Sequence, residues 1–235
     1  MTTTNTTTFN LDLNNLVEEA FERCGSELRT GYDMRTARRS LNLLTIEWAN
    51  RGINLWTVDQ GVIDLTQGTI SYNLPVDTID LLDHVVRTGT GQNQSDINIT
   101  RISSSTYSTI PNKNAQGRPI QVWVDRQSGA TEPSGVAYPT INVWPAPDQS
   151  NYYSFVYWRL RRIQDAGNGV NTQDIPFRFL PCMVAGLAYY LSLKIPEAMN
   201  RIEMLKMAYE EQWNLASTED RDKASLRLAP REMFY

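Results

Sequence analysis

The stretch DIPFRFLPCMVAGLAYYLSLKIPEAMNRIEMLKMAYEEQW, residues 174–213, decides the fold, because it returns to helical periodicity after a long run that has none. Asp174 and Pro176 form a start signal, and Phe179, Met183, Leu187, Tyr190 and Leu191 follow at helical spacing until Pro196 stops the run. Almost every side of that helix is apolar, which predicts burial all round. A second helix opens at Pro196, a residue suited to the first turn. Ala198, Ile202, Leu205, Tyr209 and Trp213 give it an inner face, with charged residues outside, and its period is expected to continue through residues 218–224. The ending LRLAPREMFY contains Pro230 and reads as extended.

Upstream of this stretch the pattern is different. Residues 53–58, 61–65, 69–73, 84–87, 119–124, 140–144 and 152–160 are short, β-branched or aromatic runs punctuated by Gly or Pro, and each reads as a strand. Polar, Gly-rich connections at 88–97, 127–137 and 164–173 separate several of them. Apart from one helical turn expected near 103–107, no helical period interrupts this region, which predicts an antiparallel β domain.

Further upstream, two helices precede the strands. Leu13, Leu16, Val17, Ala20, Phe21 and Cys24 share one face, with Asp12 or Asn10 as the cap and Gly25 as the stop. Met34, Ala37, Leu41, Leu44 and Trp48 repeat in the same way after Asp33, the expected N-cap, and Gly52 ends that helix. Each helical pair alone would leave an apolar face in water, at about 25 cal/mol per Å². The economical solution is α+β: a bundle of N- and C-terminal helices (10–52 with 174–224) carrying an inserted antiparallel β-rich domain (53–173). A flexible N-terminus (1–9) and an extended C-terminal arm (225–235) complete the expected organisation.

Composition excludes several classes of function. The 235 residues are 41% hydrophobic and 20% charged, enough apolar material for a core. A formal net charge of −4 argues against a protein that coats nucleic acid, because such binding neutralises phosphates with cations. Cys24 and Cys182 lie far apart with no metal-type spacing and read as reduced core residues, a disulfide being the alternative. The start MTTTNTTTFN has neither a basic region nor an apolar core, so it is no secretory signal. The most apolar stretch, 175–195, is broken by Arg178, Pro181 and Lys194, so no membrane span is expected.

Catalytic chemistry finds little support. His84, the single histidine, follows Asp83, but strand neighbours point to opposite faces and no Gly-x-Ser-x-Gly elbow presents a nucleophile. It reads as a surface or turn histidine. Glu210, Glu211, Asp220 and Asp222 read as solvated charge paired with nearby Arg and Lys, and Asp80 with Asp83 gives no acid/base assignment. Gly89-Thr90-Gly91 and Gly167-Asn168-Gly169 lack the strand–helix setting of a phosphate loop and read as hairpin tips. No catalytic residue, metal or cofactor is expected. Arg159, Arg161 and Arg162 form the most basic cluster, at the end of an aromatic strand. Single-strand binding by stacking is one reading of it. A subunit interface or channel lining is the favoured one, since Arg and aromatics are enriched at interfaces.

Longer segments are more specific. IPNKNAQGRPIQVWVDR (110–126) and INVWPAPD (141–148) resemble the central region of bacteriophage adaptor proteins. The run from YWRLRR at 157 to LSLK at 194, the segment LKMAYEEQWNLASTEDRDKASLRLAPR (205–231) and the opening helix FNLDLNNLVEEAFERCG (9–25) strengthen the likeness. Together they resemble the head-to-tail adaptors of short-tailed phages, the tail tubular protein A type. That resemblance implies a helical bundle with a β-rich domain and a homo-oligomeric ring, commonly twelvefold, between the portal protein and the tail nozzle protein. It also implies a channel passing double-stranded DNA without sequence-specific binding. The implied location is the head-to-tail junction of the virion, with assembly in the bacterial host cytoplasm. It further implies a C-terminal arm gripping the portal, for which Leu226, Leu228, Met233, Phe234 and Tyr235 are apolar anchors and Arg227 and Arg231 supply charge. The β-domain tips at 88–97 and 127–137 are expected to meet the nozzle. The alternatives are a head-completion or tail-tube subunit, a virion-associated glycan hydrolase, and a DNA-binding module.

Overall fold

The computed structural model describes residues 3–52, 55–126 and 138–220, and the fold is α+β. The chain forms two compact units: one gathers the chain up to Trp56 and again from Ile163, and the other spans Thr57–Arg162.

The first unit is helical. Helix α1 (Leu13–Cys24) starts at Asp12, whose side chain accepts from Asn15 N at 2.8 Å, and ends at Gly25 in the left-handed region (φ 77°). Helix α2 (Gly31–Arg51) is capped by Thr30, not by Asp33 as the sequence reading has it. Asp33 is instead the reciprocal partner: Thr30 Oγ1 accepts from Asp33 N at 3.2 Å and the Asp33 carboxylate accepts from Thr30 N at 3.0 Å. A capping box needs both residues, so either alone looks like the cap in a sequence.

Helix α4 (Leu180–Ser192) is the centre of this unit, numbered after a one-turn helix, α3 (Ser104–Ser108), in the other unit. It is led in by a 3-10 turn at Phe177–Phe179 and buries ten of its residues, among them Met183, Leu187 and Leu191. Helix α5 (Ile202–Glu219) follows a 3-10 stretch, Pro196–Arg201, that occupies what reads as the first turns of that helix in the sequence. Gly186 on α4 lets its neighbours close in: a Cβ there would lie 2.9 Å from both Leu44 methyls and from the Tyr209 ring. Trp48 lies in the same core, 6.3 Å from Phe179 and 6.0 Å from Trp213 between ring centroids.

The segment after Arg162 also belongs here, although its composition resembles the connections of the β region. Ile163 and Ala166 are buried in the helical core. The Asn42 side chain accepts from Ala166 N at 2.8 Å, and the Gly169 and Asn171 carbonyls accept from Asn14 N and Leu13 N. Gly167–Gly169 is therefore not a hairpin tip. It covers the amide groups that the first turn of α1 leaves without partners.

The second unit is built from strands β1 (Val58–Asp64), β2 (Ser71–Asn73), β3 (Thr78–Thr88), β4 (Ser95–Asn98), β5 (Thr100–Ile102), β6 (Gln121–Asp125), β7 (Thr140–Trp144) and β8 (Tyr153–Arg161). They form two four-stranded sheets, ordered β1-β8-β3-β4 and β2-β7-β6-β5. Val122, Val124, Ile141 and Val143 of one sheet share a core with Val86, Tyr153, Phe155 and Tyr157 of the other. The strand pairing is antiparallel, as expected, except between β5 and β6, which run parallel. Strand β4 lies mostly within the run 88–97 that reads as a polar connection, and β5 lies just beyond it in a stretch that reads as no strand. Ser-Asp-Ile-Asn has little strand character of its own, and register against Val85–Thr88 holds it extended.

Candidate functional site

The basic cluster at the end of β8 is bound up within its own unit. Register sets Asp59 directly opposite Arg159 and Arg161 opposite Thr78. Arg159 donates to Asp77 at 2.6 Å and to Thr78 Oγ1 at 3.0 Å, and its second nitrogen lies 3.4 Å from Asp59. Arg161 Nε is 3.1 Å from the same Asp59 carboxylate. Only 13% of the Arg159 side chain and 14% of the Arg161 side chain reach solvent. The hydrogen bond from Arg159 holds the Asp77 carboxyl below the usual carboxylate range, against the opposing effect of its partial burial. Arg162 joins the arrangement through its amide, which donates to Asp77 O at 2.8 Å. The cluster is thus an ion network that fixes β1, β8 and the start of β3. Sequence inspection misses this because the acidic partners are about 80 to 100 residues away, and only register brings them together.

His84 is not on the surface. It is 9% exposed on β3, faces the β core and stacks on Phe155 with 5.8 Å between ring centroids. Neither ring nitrogen has a hydrogen-bond partner among the described residues. Burial lowers its pKa, with the charge of Asp83 opposing. Asp83 accepts from the His84 amide, and Asp80 holds Arg101 at 2.7 Å and Arg126 at 3.1 Å. The two carboxylates singled out in the sequence therefore serve local structure.

Glu210 pairs with a distant partner. Arg51 lies 3.1 Å from Glu210 and 2.7 Å from Glu47, and its guanidinium sits 4.6 Å from the Trp213 ring centroid. Tyr209 accepts from Trp48 Nε1 at 3.1 Å and donates to Glu47 at 3.2 Å, tying α2 to α5. The sequence gives no sign of this hub beyond the helical spacing of Trp48, Tyr209 and Trp213. Cys24 and Cys182 are buried free thiols, raised by burial to about 11 and about 12.

Exposed apolar side chains gather on two helices of the first unit. On α2, Tyr32, Leu43 and Ile46 are 63%, 54% and 44% exposed, with Arg35 and Arg39 on the same face. On α5, Met204, Met207 and Leu215 are 58%, 71% and 58% exposed, with Glu211 between them. In the second unit, the β3–β4 turn at Gly91–Asn93 is an exposed hairpin tip, braced by a two-pronged Arg87–Asp96 pair at 2.8 and 2.9 Å. The second tip, 127–137, and the arm residues Leu226, Arg227, Leu228, Arg231, Met233, Phe234 and Tyr235 lie outside the described residues. Among the described residues no group of His, Cys, Asp and Glu is placed to hold a metal ion, and no helix is long and apolar enough to cross a membrane.

These features hold side chains in place and present exposed apolar faces. The sequence model of a family described as SU10 adaptor protein matches residues 12–231. No curated protein matches the chain.

Proposed function

The chain belongs to the SU10 adaptor protein family, and from that premise we propose that it is the ring subunit of a bacteriophage head-to-tail connector. A phage adaptor is a structural protein of the virion that associates with other connector proteins. In this reading the ring, twelvefold by family resemblance, joins the portal protein to the tail nozzle protein and continues the DNA channel. The observation that carries it is the extent of the family match, which covers both units from residue 12 to residue 231. The exposed apolar faces of α2 and α5 support it, because large apolar side chains in clusters mark interaction surfaces.

The arm binds the portal through Leu226, Leu228, Met233, Phe234 and Tyr235, with Arg227 and Arg231 supplying charge, and the β3–β4 tip meets the nozzle. A terminal segment that orders on its partner covers a large surface, at the cost of its own conformational entropy. DNA passes without specific contact, in keeping with a net charge of −4. Arg159 and Arg161 act in the fold of the subunit, through the ion network described above.

Mixing purified portal, nozzle and this chain tests the joining role. The expected result is that portal and nozzle co-sediment only when the chain is present, and that deleting residues 226–235 abolishes portal attachment. Portal and nozzle associating equally well without the chain would contradict it.

A further inference from the structure

The exposed stripes of α2 and α5 match one another residue for residue. Arg35, Arg39, Leu43 and Ile46 advance along α2 in steps of four, four and three residues. Leu215, Glu211, Met207 and Met204 retreat along α5 in the same steps. At about 1.5 Å per residue, an antiparallel approach sets all four pairs opposite each other at once. Ile46 then meets Met204, Leu43 meets Met207 and Arg39 meets Glu211, while the aliphatic stem of Arg35 covers Leu215. These side chains are exposed, and neither Arg39 nor Glu211 takes part in an ion pair among the described residues.

The α2 side also offers a receptacle. Beside Leu43 and Arg39 lies a cleft with Phe21, Leu191 and Ile195 on its apolar side and Tyr32, Asp33, Thr36 and Lys194 completing its walls. A flexible thioether side chain packs well against the apolar side of such an irregular cleft, and Met207 is the one that this register brings to it. A polyanion would suit Arg35 and Arg39 but leave Leu43 and Ile46 in water. The occupant is therefore a mainly apolar surface with an acidic residue set to meet Arg39, and α5 carries one in Leu215, Glu211, Met207 and Met204.

We propose that the α2 stripe of one copy seats antiparallel on the α5 stripe of the next, and that this contact closes the ring. The inference rests on the ring reading above. It uses two different patches on one subunit, as a head-to-tail contact that closes into a ring requires. Four residues a side fall well short of the roughly 800 Å² per partner of a stable independent interface. Closure on the portal, where each copy makes the contact twice, is therefore the setting in which it holds.

The test uses the full chain carrying Leu43→Cys and Met207→Cys, assembled on purified portal and oxidised. The native thiols are buried and, with pKa values of about 11 and about 12, stay silent. A ladder of disulfide-linked oligomers is expected. The out-of-register pair Leu43→Cys with Leu215→Cys, displaced by about 12 Å along the helix, should give at least tenfold less. Arg39→Glu and Glu211→Arg should each reduce ring occupancy on the portal about tenfold, and the double exchange should restore it. Wild-type rings on the portal with no ladder from the in-register pair, or with no recovery in the double exchange, would overturn the contact and leave the connector reading standing. If the wild-type chain forms no ring on the portal at all, the connector reading fails and this contact fails with it.

Discussion

Replacing Gly186 with alanine sets two effects of known sign against each other. Alanine in a helix interior is favoured over glycine by about 1 kcal/mol. The added Cβ, however, lies 2.9 Å from both Leu44 methyls and from the Tyr209 ring, in a core where Leu44 is fully buried. Forcing a methyl into such packing costs about 1–3 kcal/mol. Tyr209 has little freedom to retreat, because it bonds Trp48 and Glu47 at once. Overpacking should win, leaving Gly186→Ala destabilised by roughly 1 kcal/mol net. Leu44→Ala alone should cost about 2–5 kcal/mol by leaving a cavity. In the double variant the new methyl enters part of that cavity, so the combined loss should fall short of the sum by about 1 kcal/mol. Urea unfolding followed by the helical circular dichroism signal gives all three values. Additivity to within about 0.3–0.5 kcal/mol, the tolerance for independent sites, together with a stabilising Gly186→Ala, would refute the close approach of α2, α4 and α5.

Three further outcomes follow from single side chains. Burial depresses the His84 pKa in the folded state, so below its unfolded value near 6.5 the unfolded chain binds the proton more readily. Stability should therefore be full above about pH 6.5 and fall as the pH drops through that value toward the folded pKa. Melting temperatures at a series of pH values should show this loss in the wild type and its absence in His84→Leu, which leaves the imidazole site apolar. Arg51→Ala removes two ion pairs and the stacking on Trp213, and chemical denaturation should report a loss on the order of 1–2 kcal/mol. Cys24 and Cys182 should react with a thiol reagent only once the chain is denatured, because burial raises them to about 11 and about 12. Rapid labelling of the native chain would contradict their place in the core.

Helical order was readable because period and punctuation coincide. The apolar positions of α1 and α2, the buried character of α4, and Gly25 and Gly52 as stops all follow from local chemistry. Strands β6, β7 and β8 were legible for the same reason, since their residues alternate or are strongly aromatic. What stayed hidden depends on register or on distant partners. Strand β4 is polar and extended only through β3, and β5 pairs parallel with a strand some twenty residues further on. The arginines of β8 look unpaired until Asp59 and Asp77 are set beside them. His84 reads as a surface residue beside the charged Asp83, yet an irregularity in β3 between Leu81 and Asp83 resets the register and its ring faces inward. The α2 and α5 stripes were concealed for another reason. Their inner faces explain the helices so well that the exposed Leu43, Ile46, Met204 and Met207 go unremarked until burial is known.

Electron microscopy of the full chain mixed with purified portal bears most directly on the connector role. The account predicts a closed ring of this chain seated against the portal, continuous with its axial opening and wide enough for duplex DNA. Free monomers alone, or copies attached elsewhere on the portal without closing a ring, would contradict it.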